Sequence, residues 1–214
     1  MDEWAKQLGG RFVVIDGPDG AGKSTQTRRL AEFLREAGLG VEAVRDPGGT
    51  AIGDRVRGIL LDPTLSEMSV RCELMLYMAS RAQLVDEIVR PALQRGHCVL
   101  SDRYISSTVA YQGAGGADPH DVQAVGEIAV GGLWPDLTLV LDLDAEEGLA
   151  RAAKRSGPDR MEAKAVAFHR RVRELFLSQA EENRRRFAVI DAAGSADDVH
   201  QRVLETLAMR SANW

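Results

Sequence analysis

The stretch Asp16, Gly17, Pro18, Asp19, Gly20, Ala21, Gly22, Lys23, Ser24, Thr25 constrains this chain more than any other part of it. It follows the apolar run Phe12, Val13, Val14, Ile15 and precedes a segment with helical periodicity. Gly17, four residues, then Gly22, Lys23 and Ser24 is the spacing of a phosphate-binding loop. The glycines let successive backbone N–H groups point into one concavity, and the helix starting at Lys23 adds the positive end of its dipole. Such a cup takes a polyphosphate, with Lys23 reaching the β and γ phosphates and the Ser24 hydroxyl ligating Mg²⁺. A plain glycine turn between strand and helix would require neither the lysine nor the hydroxyl. The motif identifies a nucleoside triphosphate site with Mg²⁺, and leaves the reaction open.

A chain of 214 residues suffices for one α/β domain and is too short for two ordinary domains and a linker. Residues 1–214 therefore read as a single domain. The net charge of −5 argues against a large basic surface, so nucleic acid is not an expected partner. No apolar run approaches the roughly 20 residues that span a bilayer, and the acidic start MDEWAKQ lacks the features of a signal peptide. These features predict a cytoplasmic protein without a membrane partner. Cys72 and Cys98 match no metal-ligand spacing and read as core packing.

Periodicity predicts strands at about 11–16, 41–45, 98–101, 137–143 and 187–190. Helices are expected at about 23–37, 52–61, 67–94 with a break at Pro91, 105–112, 119–130, 145–153, 162–185 and 197–209. Residues 1–10 read as a polar lead without chemistry. Five short apolar strands separated by helices imply a five-stranded parallel sheet covered on both faces. The loop Asp46, Pro47, Gly48, Gly49, Thr50 and the segment Asp102, Arg103, Tyr104 both follow strands, on the rim where open α/β sheets bind ligands.

At LSDRYISSTVAYQ, residues 100–112, the chain resembles the thymidylate kinase family of the nucleoside monophosphate kinases. The resemblance continues in RDPGGT at 45–50, YMASR at 77–81 and DRME at 159–162, in the family's order. It implies transfer of the γ-phosphoryl group of ATP to dTMP, giving dTDP. It also implies that Arg103 holds the acceptor phosphate with Arg45 near it, that Asp102 assists Mg²⁺, and that Asp19 accepts the sugar 3′-hydroxyl. Tyr77 would stack on thymine, Arg81 would donate to a base carbonyl, and Ser107, Thr108 and Gln112 would read the base edge. Tyr111 would shape the pocket against ribonucleotides. The acceptor phosphate is already ionised near neutral pH, its second pKa being about 6, so no general base is required. Arginines suit the remaining task, since a planar fork grips phosphate oxygens bidentately.

Family members supply a catalytic arginine from the phosphate loop or from a lid. Gly20 stands where the first kind carries Arg, so the resemblance points to the lid at about 151–160. Arg155 is the first choice and Arg160 the second. A homodimer is the assembly the resemblance implies. Two other readings compete: a kinase of another monophosphate or of a deoxynucleoside, and a GTPase-like switch. A deoxynucleoside hydroxyl would need a carboxylate base, for which Asp16 is the candidate. The switch reading lacks an Asn-Lys-x-Asp guanine motif.

Overall fold

The strand that leads into the phosphate loop, β1 (Phe12–Asp16), is buried at all five positions and lies in the middle of the sheet. The computed structural model describes residues 3–154, 159–162 and 164–212. On one side β1 pairs with β3 (Cys98–Asp102), which pairs with β2 (Val41–Arg45). On the other side it pairs with β4 (Leu137–Asp142), which pairs with β5 (Phe187–Asp191). All pairings are parallel, in the order β2-β3-β1-β4-β5, which is the predicted five-stranded parallel sheet. The apolar runs of β1, β3 and β4 meet the demand of strands covered on both faces. Register places Ile15 and Arg45 beside Asp102, so the ends of three strands, and the loops that follow them, share one rim.

One face is covered by α1 (Glu3–Lys6), α2 (Lys23–Glu36) and α10 (Ala196–Ser211), whose Ala5, Leu30, Leu34, Val203 and Leu207 pack on Val13, Ile15 and Leu139. The other face carries α4 (Val70–Leu84), α5 (Arg90–Gln94) and α7 (Pro119–Val130) over Phe12, Val14 and Val99. A third cluster joins α6 (Ile105–Ala114) to α9 (Val166–Glu182) through Ala110, Tyr111, Val172 and Phe176, above Val140. The remaining helices, α3 (Ala51–Leu61) and α8 (Ala145–Ala153), flank the rim.

The structure corrects four expectations. The lead is part of the core: Leu8 is fully buried and Trp4 stacks on Phe33 with ring centroids 5.7 Å apart. Cys72 is exposed, whereas Cys98 is buried as expected, its thiol pushed up to about 12 by burial and by Asp136. The long helix predicted at 67–94 is interrupted one turn before Pro91, by a π-helical turn at Val85–Val89. Proline lacks the N–H that would bond residue 87 and its ring crowds that carbonyl, so the chain widens, and Arg90 N–H donates to the Val85 carbonyl. The helix expected from residue 162 starts at Val166, because Asp159 Oδ1 accepts from the N–H groups of Met161 and Glu162 at 2.8 and 2.9 Å and holds a turn there.

Candidate active site

The phosphate loop ends at Gly22, the N-cap of α2, with φ 92° and no side chain capping the helix. The first-turn N–H groups are thus left for an anion. Behind them the loop rests on α8: a Cβ at Gly20 would stand 2.0 Å from the Gly148 carbonyl oxygen, and one at Gly148 would stand 2.3 Å from that of Asp19. Both places admit only glycine, which accounts for the absence of a loop arginine at Gly20.

Lys23 is buried, and its Nζ donates to the Pro18 carbonyl at 2.6 Å. Burial, and then the charge of Arg103, lower its pKa to about 8. Ser24 donates its hydroxyl to Asp102. This pair supplies hard oxygen donors, and the described residues contain no group of three or more His, Cys, Asp or Glu able to cage a metal. Such a set fits Mg²⁺ shared with nucleotide oxygens and water. Asp16 is fully buried and accepts from Gly17 N–H at 2.9 Å and from the Ser106 and Ser107 hydroxyls at 2.6 Å each. It does not line the cavity, so the geometry gives no support to Asp16 as a base toward a deoxynucleoside.

Arg103 is the one described non-glycine residue with positive φ, at 73°. A backbone of that kind costs on the order of 1–3 kcal/mol and persists where surroundings impose it. Here Ser101 Oγ donates to the Arg103 carbonyl at 2.6 Å, and Arg103 N–H donates to Ile15 O at 3.1 Å. The guanidinium is turned onto the Asp19 carboxylate, donates to Ser107 Oγ at 2.9 Å, and lies over the Tyr111 ring at 4.9 Å. Burial would raise the Asp19 carboxyl, but Arg103, then Lys23 and the Tyr111 hydroxyl, hold it below its ordinary value.

Two more arginines border the same cavity. Arg45 is half exposed and bonds Asp54 at 3.2 Å; Arg57 donates to the Pro47 carbonyl at 3.0 Å. Burial and then the charges of Arg45 and Arg103 lower the pKa of Arg57. Convergent guanidiniums that repel one another form a seat for an anion.

Tyr77 and Arg81, four apart on α4, line the same cavity. Burial, and then Glu73, raise the Tyr77 hydroxyl well above its ordinary value, so the ring is a neutral surface. Arg81 is 1% exposed and fixed by Asp46 at 2.5 Å, by Thr108 Oγ1 at 3.0 Å and by the Tyr104 carbonyl at 3.2 Å. Burial raises the Asp46 carboxyl, an effect Arg81 partly offsets. Gln112 donates its Nε2 to Glu73 at 2.7 Å, and Arg160 binds the other oxygen of Glu73 while its Nε donates to the Leu60 carbonyl at 2.9 Å.

Asp19, Gly20, Gly22, Lys23, Ser24, Thr25, Arg45, Tyr77, Arg81, Asp102, Arg103, Ser107, Thr108, Tyr111 and Gln112 therefore share one cavity. Gly17, Pro18 and Ala21 form the back of the loop, and Arg160 does not line the cavity. Arg155, the first choice for the lid arginine, lies outside the described residues. Arg151 faces elsewhere, bonding Glu147 at 2.6 Å and the Ala192 carbonyl at 3.3 Å. Sequence reasoning missed Arg57 and Glu73. Arg57 sits on a helix that follows a rim loop, which is a usable signal; nothing local marks Glu73.

The description "Thymidylate kinase" belongs to the family model that matches residues 15–203. The chain is 48% identical to the thymidylate kinase of Deinococcus radiodurans over 94% of this chain and 98% of that protein. It is 46% identical to the thymidylate kinase of Nitratidesulfovibrio vulgaris, covering 92% and 95%. The crystal structure of thymidylate kinase from Ehrlichia chaffeensis superposes with a TM-score of 0.76 at 29% identity, covering 92% of this chain and 98% of that one. On the matched motifs, the shared sheet and these relatives, the chain belongs to the thymidylate kinase family.

Proposed function

We propose that the protein transfers the γ-phosphoryl group of ATP to dTMP, yielding dTDP and ADP, in a single kinase domain with a lid at about 151–160. The observation that carries this is that one cavity is lined by Lys23 and Ser24 of the phosphate loop, by Arg45, Arg57 and Arg103, and by Tyr77, Arg81, Thr108 and Gln112. A triphosphate enters at the loop and a pyrimidine monophosphate at Tyr77 and Arg81, so their phosphates meet over Arg103. Their mutual repulsion is the chief obstacle, and three guanidiniums with Lys23 neutralise it and align the transfer. Ser24 and Asp102 would hold Mg²⁺, which supplies charge neutralisation at the donor phosphates.

Asp19 has a carboxylate held ionised beside Arg103, which suits acceptance of the sugar 3′-hydroxyl while steadying the guanidinium. Tyr77 offers its ring to the base, and Arg81 a locked donor. With Asp16 saturated by two serines and a backbone N–H, the site suits a phosphate acceptor, which brings its own anionic oxygen. No helix of the described residues is long and apolar enough to cross a membrane. The exposed Ile59, Met75 and Ile128, on α3, α4 and α7, support a homodimer formed through those helices. The deciding experiment is ADP release measured over a panel of nucleoside monophosphates and deoxythymidine. Fastest turnover with dTMP is expected; turnover of deoxythymidine in its place, or none with dTMP, overturns the reading.

A further inference from the structure

Glu73 has no part in phosphate chemistry, yet it is 3% exposed and each of its oxygens is bonded: Oε1 by Gln112 Nε2 at 2.7 Å, Oε2 by Arg160. Gln112, itself 1% exposed, lines the base end of the cavity. We propose that Glu73 is a specificity-determining positioning residue, which by taking the amide NH₂ of Gln112 turns that amide's oxygen toward the base as a fixed acceptor.

A glutamine amide has two faces of opposite character, an acceptor oxygen and a donor NH₂, and unaided it can present either. A carboxylate with an arginine on one oxygen can only accept at the other, so the amide has one orientation in which its pair with Glu73 is satisfied. The reverse would set two oxygens against each other inside the fold, leaving a buried group unpaired. Gln112 Oε1 has no partner among the described residues, and it is the polar atom left for a ligand. Arg81, bonded to Thr108 one turn before Gln112 on α6, is fixed in the opposite sense. Asp46, Thr108 and the Tyr104 carbonyl hold a group that has donors and no acceptor. The base end thus offers one acceptor and one donor side by side.

Thymine and uracil present an N–H at ring position 3 and a carbonyl at position 4, which match an acceptor and a donor respectively. Cytosine presents a bare ring nitrogen and an amino group, inverting both. The Glu73–Gln112 pair therefore separates thymine from cytosine and has no power to separate thymine from uracil. This inference rests on the monophosphate reading above, and its test is separable from that reading: loss of dTMP turnover in the unaltered chain refutes the earlier reading, whereas the tests below compare substrates.

Glu73→Gln keeps the shape and lets the paired amides flip together. The ratio of kcat/KM for dTMP over dCMP is expected to fall by about tenfold or more, mainly through KM, since a mispaired buried hydrogen bond is what the correct orientation avoids. The dTMP over dUMP ratio is expected to stay within about twofold, both bases carrying the same edge. Arg160→Met breaks the same carboxylate's other bond while keeping the Glu73–Gln112 bond, so it is expected to lower dTMP and dCMP turnover together and leave their ratio in place. An unchanged dTMP over dCMP ratio in Glu73→Gln, or an equal fall in Arg160→Met, overturns the proposal in favour of a merely structural bridge. A measurement on the unaltered protein stands apart from variant folding. The monophosphate of 3-methylthymidine, which lacks the ring N–H, is expected to be turned over at least about 100-fold less well than dTMP, and equal turnover overturns the acceptor assignment.

Discussion

Lys23 should take up a proton when nucleotide binds. In the unliganded structure burial and Arg103 hold its pKa at about 8, and its Nζ donates only to the Pro18 carbonyl among the described residues. A polyphosphate in the loop brings several negative charges within contact of that amine and returns it to the charged form. With a pKa of about 8, the neutral fraction before binding is about 0.1 at pH 7, about 0.5 at pH 8 and about 0.9 at pH 9. Those fractions are the protons absorbed per nucleotide bound. Because only the charged amine grips phosphate well, the affinity for a non-hydrolysable Mg²⁺–ATP analogue falls by about tenfold between pH 7 and pH 9.

Calorimetric titration at pH 8 in two buffers with different ionisation enthalpies measures the uptake directly. Lys23→Arg is the control, since a guanidinium stays charged across this range and removes the contribution while keeping a cation in the loop. Uptake of about 0.5 proton in the parent chain and close to none in the variant supports the assignment. Equal uptake in both would show that another group titrates, and the depressed lysine would be wrong. The sign for folding follows from the same shift: between pH 8 and about 10.5 the unfolded chain binds more protons at this residue than the folded one, so the unliganded protein gains stability from Lys23 as pH rises through that window.

Gly148→Ala places a methyl 2.3 Å from the Asp19 carbonyl oxygen, and the phosphate loop must move; a loss of about 1–3 kcal/mol in urea unfolding is expected, with weaker ATP binding, and unchanged values of both would show that the loop is not seated on α8. Asp46→Ala leaves the guanidinium of Arg81 buried without its counter-charge, a change expected to cost about 3–5 kcal/mol in the same assay, and a loss under about 1 kcal/mol would mean that Arg81 reaches solvent. Arg155→Ala is expected to lower kcat by orders of magnitude with little change in dTMP affinity; equal loss of both would make it a binding residue.

What was legible in the sequence was what the chain states locally. The phosphate loop is contiguous, so its glycines, lysine and serine announce a backbone shape and a ligand within a few residues. Strands buried on both faces read as apolar runs, which is why β1, β3 and β4 were recoverable, whereas β2 and β5 lie at the sheet edges, only partly buried, and showed only as short runs between helices. The lead was misread because periodicity needs more than one turn to register, and Glu3–Lys6 is a single turn whose worth comes from Trp4 and Leu8 reaching a distant core. Cys72 was misread for a related reason, as helical membership does not say which side a residue faces until the partners of the helix are known.

Glu73 shows the limit most clearly. Its partners Gln112 and Arg160 stand 39 and 87 positions away, and neither distance is encoded in any spacing. A glutamate in the first turn of α4 reads as a favourable charge near a helix N-terminus. Its burial converts it into something else, because both of its oxygens, withdrawn from water, are answered inside the fold, and the groups that answer are thereby fixed. Arg81 is likewise held by Asp46, through one carboxylate oxygen only, the other being buried without a partner among the described residues, and Arg103 is held by Asp19. The sequence names the side chains that meet a nucleotide, whereas the acids that decide which face each of them shows are set only once the sheet has brought β1, α4 and α6 together.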